Sequence, residues 1–107
     1  RDGQLTRGKG FDTFCPLGPW VSTDVDAADV VITCSVNGQV RQMASTRELI
    51  FSVPQLIAFI TSVMTLEQGD VILTGTSAGV GVLNSGDNVD IEIEGIGTLS
   101  NVVISAA

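Results

Sequence analysis

Gly75-Thr76-Ser77-Ala78-Gly79 has the Gly-x-Ser-x-Gly format that, when it follows a strand, raises a serine nucleophile on a tight turn in hydrolases. Such an elbow needs a helix behind it and a base beside it. Val80-Gly81-Val82-Leu83-Asn84-Ser85-Gly86-Asp87 carries two more glycines and a turn signal, and the chain contains no histidine. The string therefore reads as a chance match. It is not a phosphate cradle either, because no Lys-Ser/Thr pair follows it and no Gly-x-Gly-x-x-Gly frame fits. What remains is a loop whose glycines at 75, 79 and 81 let the backbone take positive φ and pass close to a ligand or another strand.

Other residues able to do chemistry are few. Asp90, Glu92 and Glu94 alternate with Val89, Ile91 and Ile93, so three carboxylates on one strand face could hold a hard divalent cation. The same alternation describes an amphipathic strand with its acids in solvent, which is the better reading on periodicity alone. Asp12, Asp70 and Asp87 stand at turns, where Asp caps backbone N–H groups. Lys9 is the chain's single lysine and by itself would simply face water. Cys15 and Cys34 have no Cys or His neighbour at metal-like spacing, and read as reduced thiols of a cytoplasmic protein rather than a disulfide.

The elements that must position these residues follow from pattern. Residues 1–18 are glycine-rich and irregular, with a short strand expected at Pro19–Thr23 and an acidic turn at 24–29. Val30 to Val36 alternates as a strand with one face inward, and Asn37-Gly38 is a strong hairpin signal that returns the chain through Gln39–Met43. Ser45 and Thr46 can start a turn or short helix at Arg47–Leu49. Ser52, Pro54 and Gln55 make a capping-box start for one main helix over about 53–65, with Val53, Leu56, Ile57, Ile60, Val63 and Met64 on one side. Glu67–Asp70 ends the helix and turns into Val71–Thr74, which reads as a buried strand that empties into the glycine loop. Strands at 88–94 and near 99–104, joined by a Gly95-Ile96-Gly97 bend, close the chain. The order is a β-rich α+β domain.

Composition sets outer limits. The 107 residues suffice for one domain, 44% of them are hydrophobic, and no apolar run reaches the ~18 residues of a bilayer-crossing helix. A net charge of −7 argues against nucleic acid or an anionic membrane surface as partner. The polar opening Arg1-Asp2-Gly3-Gln4 lacks a starting methionine and any signal-peptide pattern, as expected of part of a longer chain.

Three segments taken together carry a resemblance. Lys9-Gly10-Phe11-Asp12-Thr13-Phe14-Cys15-Pro16-Leu17-Gly18-Pro19-Trp20, Val36-Asn37-Gly38-Gln39-Val40-Arg41-Gln42, and Gly69-Asp70-Val71-Ile72-Leu73-Thr74-Gly75-Thr76-Ser77-Ala78-Gly79-Val80-Gly81 with Gly86-Asp87 and Glu94-Gly95-Ile96-Gly97-Thr98-Leu99 resemble, in order, the C-terminal half of the fumarylacetoacetate hydrolase family domain. The resemblance covers nearly the whole chain. It implies a mixed sheet or roll of the fumarylacetoacetase C-terminal type. It also implies an enzyme acting on small 2-oxo or enol diacids or acylpyruvates, by C–C bond hydrolysis, decarboxylation or dienol isomerisation. A bound Mg²⁺, Mn²⁺ or Ca²⁺ is implied to chelate the oxo-acid end and stabilise an enolate-like charge. In that scheme Lys9 matches the family's active-site lysine, and Thr76, with Gly75 beside it, matches the substrate-contacting loop.

The departures from the family pattern matter as much. Most relatives have proline where this chain has Ser77. The family's metal ligands, a Glu-x-Glu pair and an Asp, lie upstream of the lysine, so Glu92-Ile93-Glu94 imitates the pair at the wrong place. No metal ligand is expected in this chain. Arg1-Asp2-Gly3-Gln4 likewise imitates the family's Arg-Asp-x-Gln motif too close to Lys9. The expectation is thus residues 1–107 as the C-terminal part of one catalytic domain, with a cation held from outside it, the remaining N-terminal part as partner, and a homodimer as the family's common state. The competing expectation is a non-catalytic β-rich binding or structural module.

Overall fold

The computed structural model describes Thr13 and residues 15–105. Strands β1 (Val31–Val36) and β2 (Gln39–Ser45) form the expected hairpin. Asn37 and Gly38 take φ of 52° and 82°, the paired positive values that a two-residue turn needs to match strand twist. β3 (Asn88–Ile93) pairs with the other edge of β1, and β4 (Gly97–Val102) pairs with β3, giving the order β2-β1-β3-β4. All three ladders are antiparallel.

Register separates the two faces. Ile32, Cys34 and Val36 stand opposite Ile93, Ile91 and Val89, while Thr33 and Ser35 stand opposite Glu92 and Asp90. One face is therefore apolar and the other carries the acids. A polar clasp ties the β1–β2 turn to the start of β3: the Asn37 amide donates to Asp87 and the Asn88 N–H donates back to Asn37 Oδ1, each at 2.9 Å. The Asn84 N–H at 2.8 Å also donates to Asp87, and this bond, followed by the Asn37 amide, holds the Asp87 carboxyl below its ordinary range.

Helix α1 (Val53–Val63) starts where its caps dictate. The Gln55 N–H donates to Ser52 Oγ, the Ser52 N–H donates to Gln55 Oε1, and Pro54 occupies the first turn. A 3-10 turn at Thr46–Glu48 carries the same reciprocal pattern through Ser45 and Glu48. One helix on a β-rich sheet is the expected α+β class, with the helix ending two residues before position 65.

Two expected strands do not form. Pro19–Thr23 joins no ladder and instead lays Trp20 against Gly97, where a Cβ would stand 2.7 Å from the indole. Val71–Thr74 is irregular and pairs with no strand among the described residues. Nor is this run buried, since Leu73 is 76% exposed. Among the described residues only Val30 and Val36 fall to 9% exposure or less, and α1 makes no extensive contact with any strand. Ile50 at 91%, with Phe51, Phe59 and Val63 also exposed, leaves apolar surface that a sealed domain would cover.

Candidate functional site

The glycine loop stands over the apolar face of the sheet at the β2 edge, and a β-bulge puts it there. Cys34 pairs with Gln42 and Ser35 with Val40, so Arg41 is an extra residue on β2. Neighbouring strand side chains normally point to opposite faces. Here both Arg41 and Gln42 reach the loop. The Arg41 guanidinium donates to the Val82 carbonyl at 2.9 Å, and Gln42 Nε2 donates to Thr76 Oγ1 at 2.6 Å and to the Ser77 carbonyl at 2.8 Å.

Gly79 closes the contact from the loop side. Its φ is +105°, and a Cβ there would collide with the Arg41 carbonyl oxygen. Gly75, at φ +108°, faces open space, so it is required for its backbone conformation rather than for room. The two glycines thus let the loop turn at Gly75 and press onto the bulge at Gly79.

Between the loop, the sheet and the start of α1 lies a concavity of ≈650 Å³. Ile32, Cys34, Ala44 and Ile91 line it from the sheet, and the hydroxyl-bearing residues Ser45, Thr46, Thr74, Thr76 and Ser77 line it from the surrounding segments. The volume suits a small organic ligand. Among the described residues the lining holds one charged side chain, Glu48, whose carboxylate already accepts the Ser45 N–H at 3.0 Å. A smaller hollow of ≈260 Å³ shares Gln42 and Thr76 and runs along Arg41 and Gly79–Gly81.

The structure brings Thr76 and Gly75 together at the rim of this concavity, whereas Lys9 lies outside the described residues. Ser77 Oγ reaches only the Ala78 carbonyl, at 3.4 Å, and no helix follows the loop, so the elbow geometry is absent. Asp90 faces away from the concavity and accepts from Ser100 and Asn88. No three His, Cys, Asp or Glu side chains converge as a metal site among the described residues. These residues do not fit a divalent cation.

Sequence reasoning gave no role to Arg41 and Gln42. Their signal was local: Val40-Arg41-Gln42-Met43 breaks apolar–polar alternation with two adjacent polar residues, as a bulge does.

The family described as fumarylacetoacetate (FAA) hydrolase C-terminal matches residues 1–104. The chain is 54% identical to 5-carboxymethyl-2-hydroxymuconate delta-isomerase from Mycobacterium smegmatis, with a TM-score of 0.95 over 99% of this chain and 42% of that one. It is 41% identical, with a TM-score of 0.87 over 91% of this chain and 38% of that one, to maleylpyruvate hydrolase from Sphingobium sp. SYK-6, solved with manganese(II) and pyruvate. A mitochondrial oxaloacetate decarboxylase of Dictyostelium discoideum is 46% identical over 87% of this chain and 44% of its own length. The chain spans less than half the length of the curated relatives it matches.

Proposed function

Because the chain belongs to the fumarylacetoacetate hydrolase family, we propose that it forms the substrate wall of an enzyme acting on small 2-oxo or enol diacids or acylpyruvates. The named isomerase, hydrolase and decarboxylase relatives support this reading, since all three chemistries run through an enol or enolate of a short oxo acid. The observation that carries it is the Thr76 hydroxyl held at the rim of a concavity of the right size.

In this reading Thr76 donates its O–H to a substrate oxygen. Gly75 supplies the positive φ at which the loop turns, and Lys9 places a cation beside the developing oxyanion. Mg²⁺, or Mn²⁺ or Ca²⁺ in its place, would neutralise the oxo-acid end. Its ligands are assigned outside this chain, following the resemblance, in which the family's Glu-x-Glu pair and Asp lie upstream of the lysine. The manganese and pyruvate in the hydrolase complex support that class of cofactor and ligand.

The remaining N-terminal part is the proposed partner that covers Ile50, Phe51 and Leu73, with a homodimer as the working assembly. The free thiols Cys15 and Cys34 support a reducing compartment such as the cytoplasm. No helix among the described residues is long and apolar enough to cross a membrane.

A pair of neighbouring substitutions tests the assignment in the complete protein. Thr76→Val is expected to lower kcat/KM for oxaloacetate or an acylpyruvate by about ten- to a hundredfold, the effect of losing a hydrogen bond to a charged group. Ser77→Ala should stay within about twofold of the parent, because surface changes away from such bonds cost little. The reverse pattern would restore a serine mechanism and overturn the reading.

A further inference from the structure

We propose that Gln42 is a positioning residue that fixes Thr76 as a hydrogen-bond donor toward the concavity, so that this corner of the site selects an oxygen acceptor, a carboxylate or enolate oxygen, over a group that itself donates. The proposal rests on the reading of Thr76 as a ligand-contacting residue.

Hydrogen counting carries it. A carbonyl oxygen can only accept, so the 2.8 Å contact with the Ser77 carbonyl requires the NH₂ end of the Gln42 amide on that side. The same nitrogen lies 2.6 Å from Thr76 Oγ1. An amide NH₂ has two hydrogens, and the two contacts use both. Thr76 Oγ1 therefore accepts from Gln42, and its own proton stays available to donate. No acceptor among the described residues takes that proton. Accepting one bond also polarises the hydroxyl and strengthens the one it donates.

Position and anchoring are separable here. The bulge at Arg41 turns Gln42 toward the loop, and the loop is independently held by the Arg41–Val82 bond and by Gly79 packed on the Arg41 carbonyl. Loss of the Gln42 amide should leave the loop seated while freeing the Thr76 hydroxyl to rotate and to accept as well as donate. A purely structural Gln42 would weaken every ligand alike. A positioning Gln42 changes which ligand is preferred.

Two competitive probes separate these outcomes in the complete protein: oxalate, whose carboxylates only accept, and oxamate, whose carboxamide also donates. For Gln42→Met, which keeps the length of the side chain and removes both donors, kcat/KM should fall about tenfold and the preference for oxalate over oxamate should shrink about fivefold. The double variant Gln42→Met/Thr76→Val should fall no further than Thr76→Val alone, within about twofold, because the two residues act as one unit. Equal weakening of both probes, or additive losses in the double variant, overturns the proposal while leaving the Thr76 reading intact. Unchanged turnover in Thr76→Val overturns both. Gln42→Ala, followed by thermal melting, provides the same comparison where Gln42→Met does not fold.

Discussion

Replacing Lys9 by methionine in the complete protein is expected to lower kcat/KM for a 2-oxo or enol acid by at least about a hundredfold, with the melting temperature nearly unchanged. Removing one preorganised charge-stabilising group from a developing oxyanion typically costs about 10²–10³ in rate. The concavity gives this expectation a physical basis. Its described lining contains hydroxyls, an amide and one carboxylate, but no cationic side chain. A dianionic substrate needs positive charge from elsewhere, and the matched lysine is one proposed source. Methionine keeps an unbranched side chain of similar length while deleting the charge, so steady-state kinetics with a melting curve check the result. Turnover equal to the parent's in a folded protein would favour the non-catalytic module, in which the glycine loop only makes a tight turn.

The second large effect is expected at Gly79. An alanine there must adopt a φ near +105° and place its Cβ against the Arg41 carbonyl oxygen, a backbone atom with no freedom to step aside. The backbone strain of about 1–2 kcal/mol and an overpacking cost of about 1–3 kcal/mol add to roughly 2–5 kcal/mol favouring a loop that lifts off the bulge. Lifting the loop breaks both Gln42 bonds and the Arg41–Val82 bond together. Gly79→Ala is therefore expected to lose about a hundredfold or more in kcat/KM, along with some melting temperature. Gly38→Ala serves as the comparison: a Cβ there meets open space, so it should cost only its φ, about 1 kcal/mol, and leave catalysis unchanged. Equal activity of Gly79→Ala and the parent would show that the loop does not need its seat on β2.

Where a signal was local, the sequence carried it into the structure. Asn37-Gly38 specified a turn through backbone conformation alone, and Ser52 with Gln55 specified a helix start through two reciprocal hydrogen bonds. The alternation along β3 placed Asp90 and Glu92 on the polar face, away from the concavity, while Glu94 follows the end of the strand. The failures were non-local. Val71–Thr74 has a strand-like composition, yet a strand forms only where the chain runs alongside another strand, and composition does not show which segments meet. Likewise, Pro19–Thr23 is held by Trp20 against Gly97, a contact 77 positions away in the chain. At the candidate site, the family motif pointed to Thr76 and Gly75, which line the concavity. Their partner Gln42 was not legible, because its reach depends on one extra residue in the β1–β2 register.

The most direct measurement is a crystal structure of the complete protein with manganese(II) and oxalate bound. The account predicts an oxalate oxygen within about 2.6–3.2 Å of Thr76 Oγ1, with Gln42 Nε2 still donating to Thr76 and to the Ser77 carbonyl, and with the metal ligated from outside residues 1–107. Oxalate and metal seated elsewhere, with the loop at Gly75–Gly81 touching neither, would contradict it.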